Sequence, residues 1–174
     1  MIRTLLLTAS LAALSACATV PAATPAASSI NAADAAAIDT VIDQVYAVIS
    51  GPPGQKRDFD AMRAMFAPGA TLKVIGPKGV RGGSLEDYIR QSGPILEKEG
   101  FTETELGRRV EVYGNLATVW SSYAGRTASG SFNERGINSF QLVRVDGRWL
   151  VASILWQEET PQFPLPADML NNGK

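Results

Sequence analysis

Arg135-Gly136-Ile137-Asn138-Ser139-Phe140-Gln141-Leu142-Val143-Arg144-Val145-Asp146-Gly147-Arg148-Trp149-Leu150-Val151-Ala152-Ser153-Ile154-Leu155-Trp156-Gln157-Glu158 is the stretch on which the fold turns. Two runs rich in β-branched and aromatic residues flank Asp146-Gly147, a dipeptide suited to a two-residue hairpin turn. Immediately upstream, Gly114-Asn115 separates two more such runs, so strands are predicted at roughly 102–113, 116–127, 135–145 and 148–157. Ahead of them the hydrophobic period changes. Ile38, Val41, Ile42, Val45 and Ile49 recur at helical spacing, with Asn31 as N-cap and Gly51-Pro52-Pro53-Gly54 as the stop. Asp58 caps a short second helix carrying Phe59, Met62 and Phe66, which ends at Pro68-Gly69. Ala70 to Ile75 reads as a strand and Gly76 to Gly83 as a turn or hairpin. Ser84 with Asp87 forms a capping box for a third helix, which Pro94 should kink or end early. The class is α+β, with three N-terminal helices packed on a curved antiparallel sheet. Pro161 to Lys174 follows as a proline-rich tail.

Composition narrows the chemistry. The 174 residues contain no histidine and one cysteine, and carry a formal charge of −1. Ser-His-Asp and Cys-His machinery and an HExxH zinc site are therefore excluded, as are an internal disulfide and a CxxC pair. The balanced charge supplies no basic footprint for nucleic acid. The glycines between Gly76 and Gly83 lack the lysine-plus-hydroxyl ending of a phosphate loop, and no metal or cofactor is indicated. What remains is chemistry by carboxylates, tyrosine, arginine and amides, or none.

The hairpin turns fix a register, from which faces follow. Counting back from Gly114-Asn115 places Leu106, Arg108, Val110, Val112, Ala117, Val119, Ser121 and Tyr123 on the inner face. Glu103, Glu105, Arg109 and Glu111 fall on the solvated face, with Glu103 opposite Arg126 in a surface pair. Arg108, Ser121 and Tyr123 then stand as polar groups in an apolar wall. Either Arg108 pairs with a helix carboxylate and Tyr123 is a core aromatic with its hydroxyl near the rim, or the three project into a cavity and bind a ligand, with Tyr46 and Tyr88 of the helices as further candidate ligand-binding residues. Counting from Asp146-Gly147 sets Ile137, Ser139, Gln141, Val143, Leu150, Ala152, Ile154 and Trp156 on one face. Asn138, Phe140, Leu142, Trp149, Val151, Ser153 and Leu155 fall on the other. Both are rich in apolar residues, which points to a homodimer.

The first residues, Met1-Ile2-Arg3 and the apolar Thr4 to Leu14, have the proportions of a signal peptide and fall short of the ~20 apolar residues that span a bilayer. Leu14-Ser15-Ala16-Cys17 resembles the lipobox of bacterial lipoproteins, which implies acylation of Cys17 and cleavage before it. On that resemblance residues 1–16 are the signal peptide and 17–30 the lipidated cysteine and a flexible tether. The folded domain then spans 31–160 and the tail 161–174. Two or three acyl chains anchor a protein stably. Ala18, in place of the aspartate that retains lipoproteins at the inner membrane, implies an outer-membrane location facing the periplasm.

From Ala33 to Glu158 the element order and the closing Gly147-Arg148-Trp149-Leu150-Val151 hairpin resemble the nuclear transport factor 2-like superfamily. The likeness is to its SnoaL-like and ketosteroid-isomerase-like members. That resemblance implies a cone-like α+β barrel with a cavity between helices and sheet. The enzymes of that superfamily line the cavity with aspartate, tyrosine or histidine. Here there is no histidine, no aspartate lies in a late strand, and Glu105 is placed on the solvent side. No general base is assignable, and Tyr123 is the foremost oxyanion-type donor. The sequence therefore leans away from an enzyme, toward a membrane-anchored pocket domain that binds a small apolar molecule without catalysis. An isomerase, cyclase or hydrolase of the same fold, or a protein-interaction module of the cell envelope, are the alternatives.

Overall fold

The computed structural model describes residues 30–170. Cys17, the leader, the tether and the last four residues of the tail lie outside them. Three helices, α1 (Ala32–Ile49), α2 (Phe59–Met65) and α3 (Leu85–Glu99), alternate with a six-stranded sheet. Its strands are β1 (Phe66–Gly76), β2 (Gly79–Ser84), β3 (Phe101–Tyr113), β4 (Leu116–Thr127), β5 (Asn133–Val145) and β6 (Arg148–Glu158). The spatial order is β2-β1-β6-β5-β4-β3. The sheet is mixed, because β1 runs parallel to β6 while every other pair is antiparallel. Helices on one face of a curved sheet give the expected α+β cone.

Local chemistry explains the element ends. Asn31 caps α1, Asp58 caps α2, and Ser84 forms a reciprocal capping box with Asp87 on α3. Asp146 and Gly147 both take positive φ, as a tight hairpin turn with the twist of its strands requires. Two boundaries differ from expectation. α2 ends at Met65 and the strand begins at Phe66, because Phe66 is buried and pairs with Val151, which leaves Pro68-Gly69 in the irregular stretch before Thr71. Pro94 does not stop α3. Pro94 and Arg90, the residue whose carbonyl it orphans, both lie on the exposed side of the helix, where solvent serves. The last turns are held from outside by Gly54 N–H donating to Glu97 O (2.6 Å) and Arg57 Nη2 to Leu96 O (3.0 Å).

Two bulges correct the predicted faces. In β3, Glu105 pairs with Tyr123 and Gly107 with Ser122, so Leu106 is the extra residue. N-terminal to that point every side chain changes sides. Glu103 opposes Gly125 and points inward, and Thr102 is the partner of Arg126, so the expected Glu103–Arg126 surface pair does not exist. In β6, Gln141 pairs with Ser153 and Leu142 with Val151, which makes Ala152 the extra residue. Ile154 and Trp156 therefore join Asn138, Phe140 and Leu142 on the inner face, and Leu155 goes outside. The outer face of this hairpin is thus a mixture of Ser139, Gln141, Ser153 and aliphatic residues rather than a second continuous apolar surface.

Ile38, Ile42, Val119, Phe140, Leu142 and Val151, each at most 1% exposed, fill one end of the cone. Asp34 pins that end by accepting from Trp149 Nε1 (3.0 Å), Arg144 Nη1 (2.9 Å) and Asn31 Nδ2 (2.7 Å). Asp34→Ala should cost about 2 kcal/mol, since a buried indole N–H loses its acceptor, and the loss is readable by urea unfolding. On the outer face the tail crosses β3 and β4. Met169 is fully buried there, its carbonyl accepts from the Ser122 hydroxyl, and it lies so close to Gly107 that a Cβ would sit 2.5 Å from its oxygen.

Candidate functional site

The other end of the cone is open. A cavity of about 370 Å³ lies between the C-terminal half of α1, α3 and the inner face of the sheet, within the usual range for a small-molecule site. Its walls are mostly apolar, with Val45, Ile49, Leu72, Phe101, Ile154 and Trp156 among them. Among the polar lining residues are Tyr46, Tyr88, Tyr123, Glu103, Glu134 and Asn138. No lysine or arginine belongs to this lining, so the cavity favours an uncharged ligand over an anion.

Three of the predicted site residues meet here and two do not. Tyr46, Tyr88 and Tyr123 line the cavity. Arg108 lies outside it, clamped by Glu105 (2.5 Å), Asp39 (2.6 Å) and Asp43 (2.6 Å). Ser121 is fully buried between the Tyr46 hydroxyl (2.6 Å) and Glu105 (2.5 Å). Arg108 therefore takes the helix-carboxylate alternative. Glu105 is not a solvated surface group either: its side chain is 7% exposed and bonded to Arg108 and Ser121.

The group missed in the sequence is Glu103. It is half-buried at the cavity wall and accepts a hydrogen bond from Asn138 Nδ2 at 3.0 Å. Loss of solvent is the main cause that pushes its carboxyl up to about 7. The Asn138 bond opposes the shift and the neighbouring Glu134 adds to it. Glu103 is thus a carboxyl raised toward neutral pH in the cavity wall, a candidate the strand register read from the turns had sent to solvent. Glu134 is also raised, by burial and then by Glu158, and it accepts from the Tyr123 hydroxyl at 3.3 Å. Burial raises all three tyrosines, with nearby carboxylates adding to it, so each stays protonated and able to donate. Gly136 makes room for Tyr123: a Cβ there would stand 2.7 Å from the phenolic oxygen and 2.3 Å from Gln157 O.

Two signals in the sequence could have located these carboxyls. Gly107 inside a strand marks a bulge, and a slip at that point turns Glu103 inward. Glu134 lies one residue before the predicted start of its strand, which in fact begins at Asn133.

No family model matches the sequence, and no curated protein is detectably similar to it. The fold, however, is shared with known structures. An NTF-2 like protein of unknown function from Silicibacter pomeroyi superposes with a TM-score of 0.57 at 14% identity, over 75% of this chain and 99% of its own. A putative ketosteroid isomerase from Shewanella frigidimarina gives 0.52 at 19% identity, over 69% and 94%. The hexachlorocyclohexane dehydrochlorinase LinA-type3 from Novosphingobium barchaimii gives 0.59 at 15% identity, over 74% and 88%. The fold is nuclear transport factor 2-like. At these identities the likeness carries the fold alone.

Proposed function

We propose that the domain binds a small, uncharged, mainly apolar molecule in its cone and moves a proton on it, with Glu103 as base. The observation that carries this reading is a cavity carboxyl held near pKa 7 opposite protonated phenols. Glu103 Oε would take a proton from a carbon next to a carbonyl, and the C–H electron pair would pass to the carbonyl oxygen. The Tyr88 hydroxyl, or that of Tyr123 once it turns from Glu134, would stabilise the developing charge there. Return of the proton at another carbon is an isomerisation, and loss of a leaving group is an elimination. Neither needs a co-reactant. That the fold is shared with a putative ketosteroid isomerase and a dehydrochlorinase is consistent with the reading.

The test is solvent-deuterium exchange into a panel of small cyclic enones and β,γ-unsaturated ketones, followed by mass spectrometry. Exchange at pH 8 that falls roughly 10²- to 10⁴-fold in Glu103→Gln supports the proposal. A panel molecule retained in native mass spectra without exchange, in both proteins, points instead to binding without catalysis. The apolar walls favour that second reading.

The leader supplies the proposed setting. Acylation of Cys17 would tether the domain to the periplasmic face of the outer membrane, and Cys17→Ala should move the protein from the membrane to the soluble fraction. Trp120, Leu155, Leu116 and Val145 remain exposed on the outer sheet face and support a homodimer, which light scattering would read directly.

A further inference from the structure

Glu105 and Arg108 belong to no part of the cavity, yet a hydrogen-bonded chain connects them to it. Arg108 Nε donates to both Glu105 oxygens at 2.9 Å, and the Ser121 hydroxyl donates to Glu105 Oε1 at 2.5 Å. A serine hydroxyl has one hydrogen. With that hydrogen committed to Glu105, Ser121 offers lone pairs alone to Tyr46, 2.6 Å away, so Tyr46 is the donor in that contact. The Tyr46 oxygen must then accept from its other neighbour, and Asn138 Nδ2 lies 3.1 Å from it. The same amide nitrogen gives its second hydrogen to Glu103 Oε1 at 3.0 Å.

We infer that the Glu105–Arg108 ion pair is a remote positioning device which, through Ser121 and Tyr46, dictates that Asn138 turns its NH₂ rather than its carbonyl toward Glu103. Every bond in the chain has its direction set by the one before it, starting from a carboxylate that accepts from Arg108. Reversal of the Tyr46 hydroxyl would allow it to donate to a flipped Asn138. The amide oxygen would then face Glu103, an arrangement that suits the protonated acid and not the carboxylate. The chain therefore favours the carboxylate, the proton-accepting form of the base, over the protonated acid.

The inference builds on Glu103 as the proposed base, but its test uses no substrate, so either can fail without the other. Glu103 is titrated in the full chain by carboxyl ¹³C NMR, its resonance assigned by its loss in Glu103→Gln. The titratable groups around it are Tyr46 of α1, Tyr88 and Glu99 of α3, Tyr123 of β4 and Glu134 of β5; Glu158 of β6 stands behind the last two. Ser121→Ala frees the Tyr46 hydrogen and should raise the Glu103 midpoint by about one unit. Tyr46→Phe removes that hydrogen and should leave the midpoint near the parent's, as should the double variant Ser121→Ala/Tyr46→Phe. Val119→Ala, an equally buried change on the same strand face, should not move it.

A parental midpoint in Ser121→Ala overturns the inference. So does an equal rise in the double variant, which would show general loosening rather than a freed hydroxyl. Where Ser121→Ala does not fold, Glu105→Leu combined with Arg108→Met releases the Ser121 hydrogen without touching the cavity. A rise there supports the inference and a parental value overturns it.

Discussion

Between pH 5 and pH 8 the protein should lose about 2 to 3 kcal/mol of stability, and Glu103→Gln should abolish most of that slope. The folded carboxyl holds its proton up to about pH 7, against an ordinary value of 4.5. In that interval the folded state binds more protons than the unfolded chain, so stability falls as pH rises. The contribution is fully present below pH 4.5, declines through 7 and is constant above. Glu134, also raised, adds in the same direction. Asp34, Glu86, Asp87 and Glu159 are lowered, so their effect has the opposite sign, but their window lies below that of ordinary carboxylates. With no histidine in the chain, no imidazole titrates across the interval and obscures the slope. Urea unfolding of parent and Glu103→Gln at pH 5, 6, 7 and 8 reads the difference. Parallel curves would refute the raised carboxyl.

The second large effect lies far from the chemistry. Arg57→Ala should destabilise the domain by about 3 to 5 kcal/mol, a large share of the stability of any single domain. Arg57 is 8% exposed, and its guanidinium donates to four backbone carbonyls: Ile49 (2.9 Å), Gln55 (2.5 Å), Gly51 (2.8 Å) and Leu96 (3.0 Å). Ile49 and Leu96 lie in the last turns of α1 and α3, so one cation serves the negative ends of two helix dipoles and satisfies carbonyls no helix can. These are also the helices that wall the cavity. Alanine leaves the Ile49 and Leu96 carbonyls, buried at the ends of α1 and α3, without that donor. Lysine keeps the charge but not the planar fork, and should recover about half of the loss in the same unfolding experiment.

The architecture was legible because it rests on periodicities and turns that local chemistry determines. Asn31, Asp58 and the Ser84–Asp87 box start the helices where caps are expected, and Gly114-Asn115 and Asp146-Gly147 set the hairpins. The parallel pairing of β1 with β6 was not legible, since it joins segments some eighty residues apart and leaves no turn signature. The site was lost at single residues. Leu106 and Ala152 each slip a strand by one position, and with period two a slip of one exchanges the faces. A reading without the first bulge sends Glu103 and Glu105 to solvent. A reading without the second puts Ile154 and Trp156 on the wrong side. Phase offered a clue in β6, where buried Trp149 and Val151 are followed after a gap of three, not two, by Ile154. For Arg108 and Ser121 the residue types were noticed correctly, but their contacts depend on where α1 lies over the sheet. Sequence spacing does not encode that position.

The measurement that bears most directly on the site is the titration of the Glu103 carboxyl by ¹³C NMR in the unsubstituted protein. A midpoint near 7 is predicted. A midpoint in the ordinary range of about 4 to 5 would mean a solvated carboxylate, and would contradict the cavity base on which the proposed proton transfer depends.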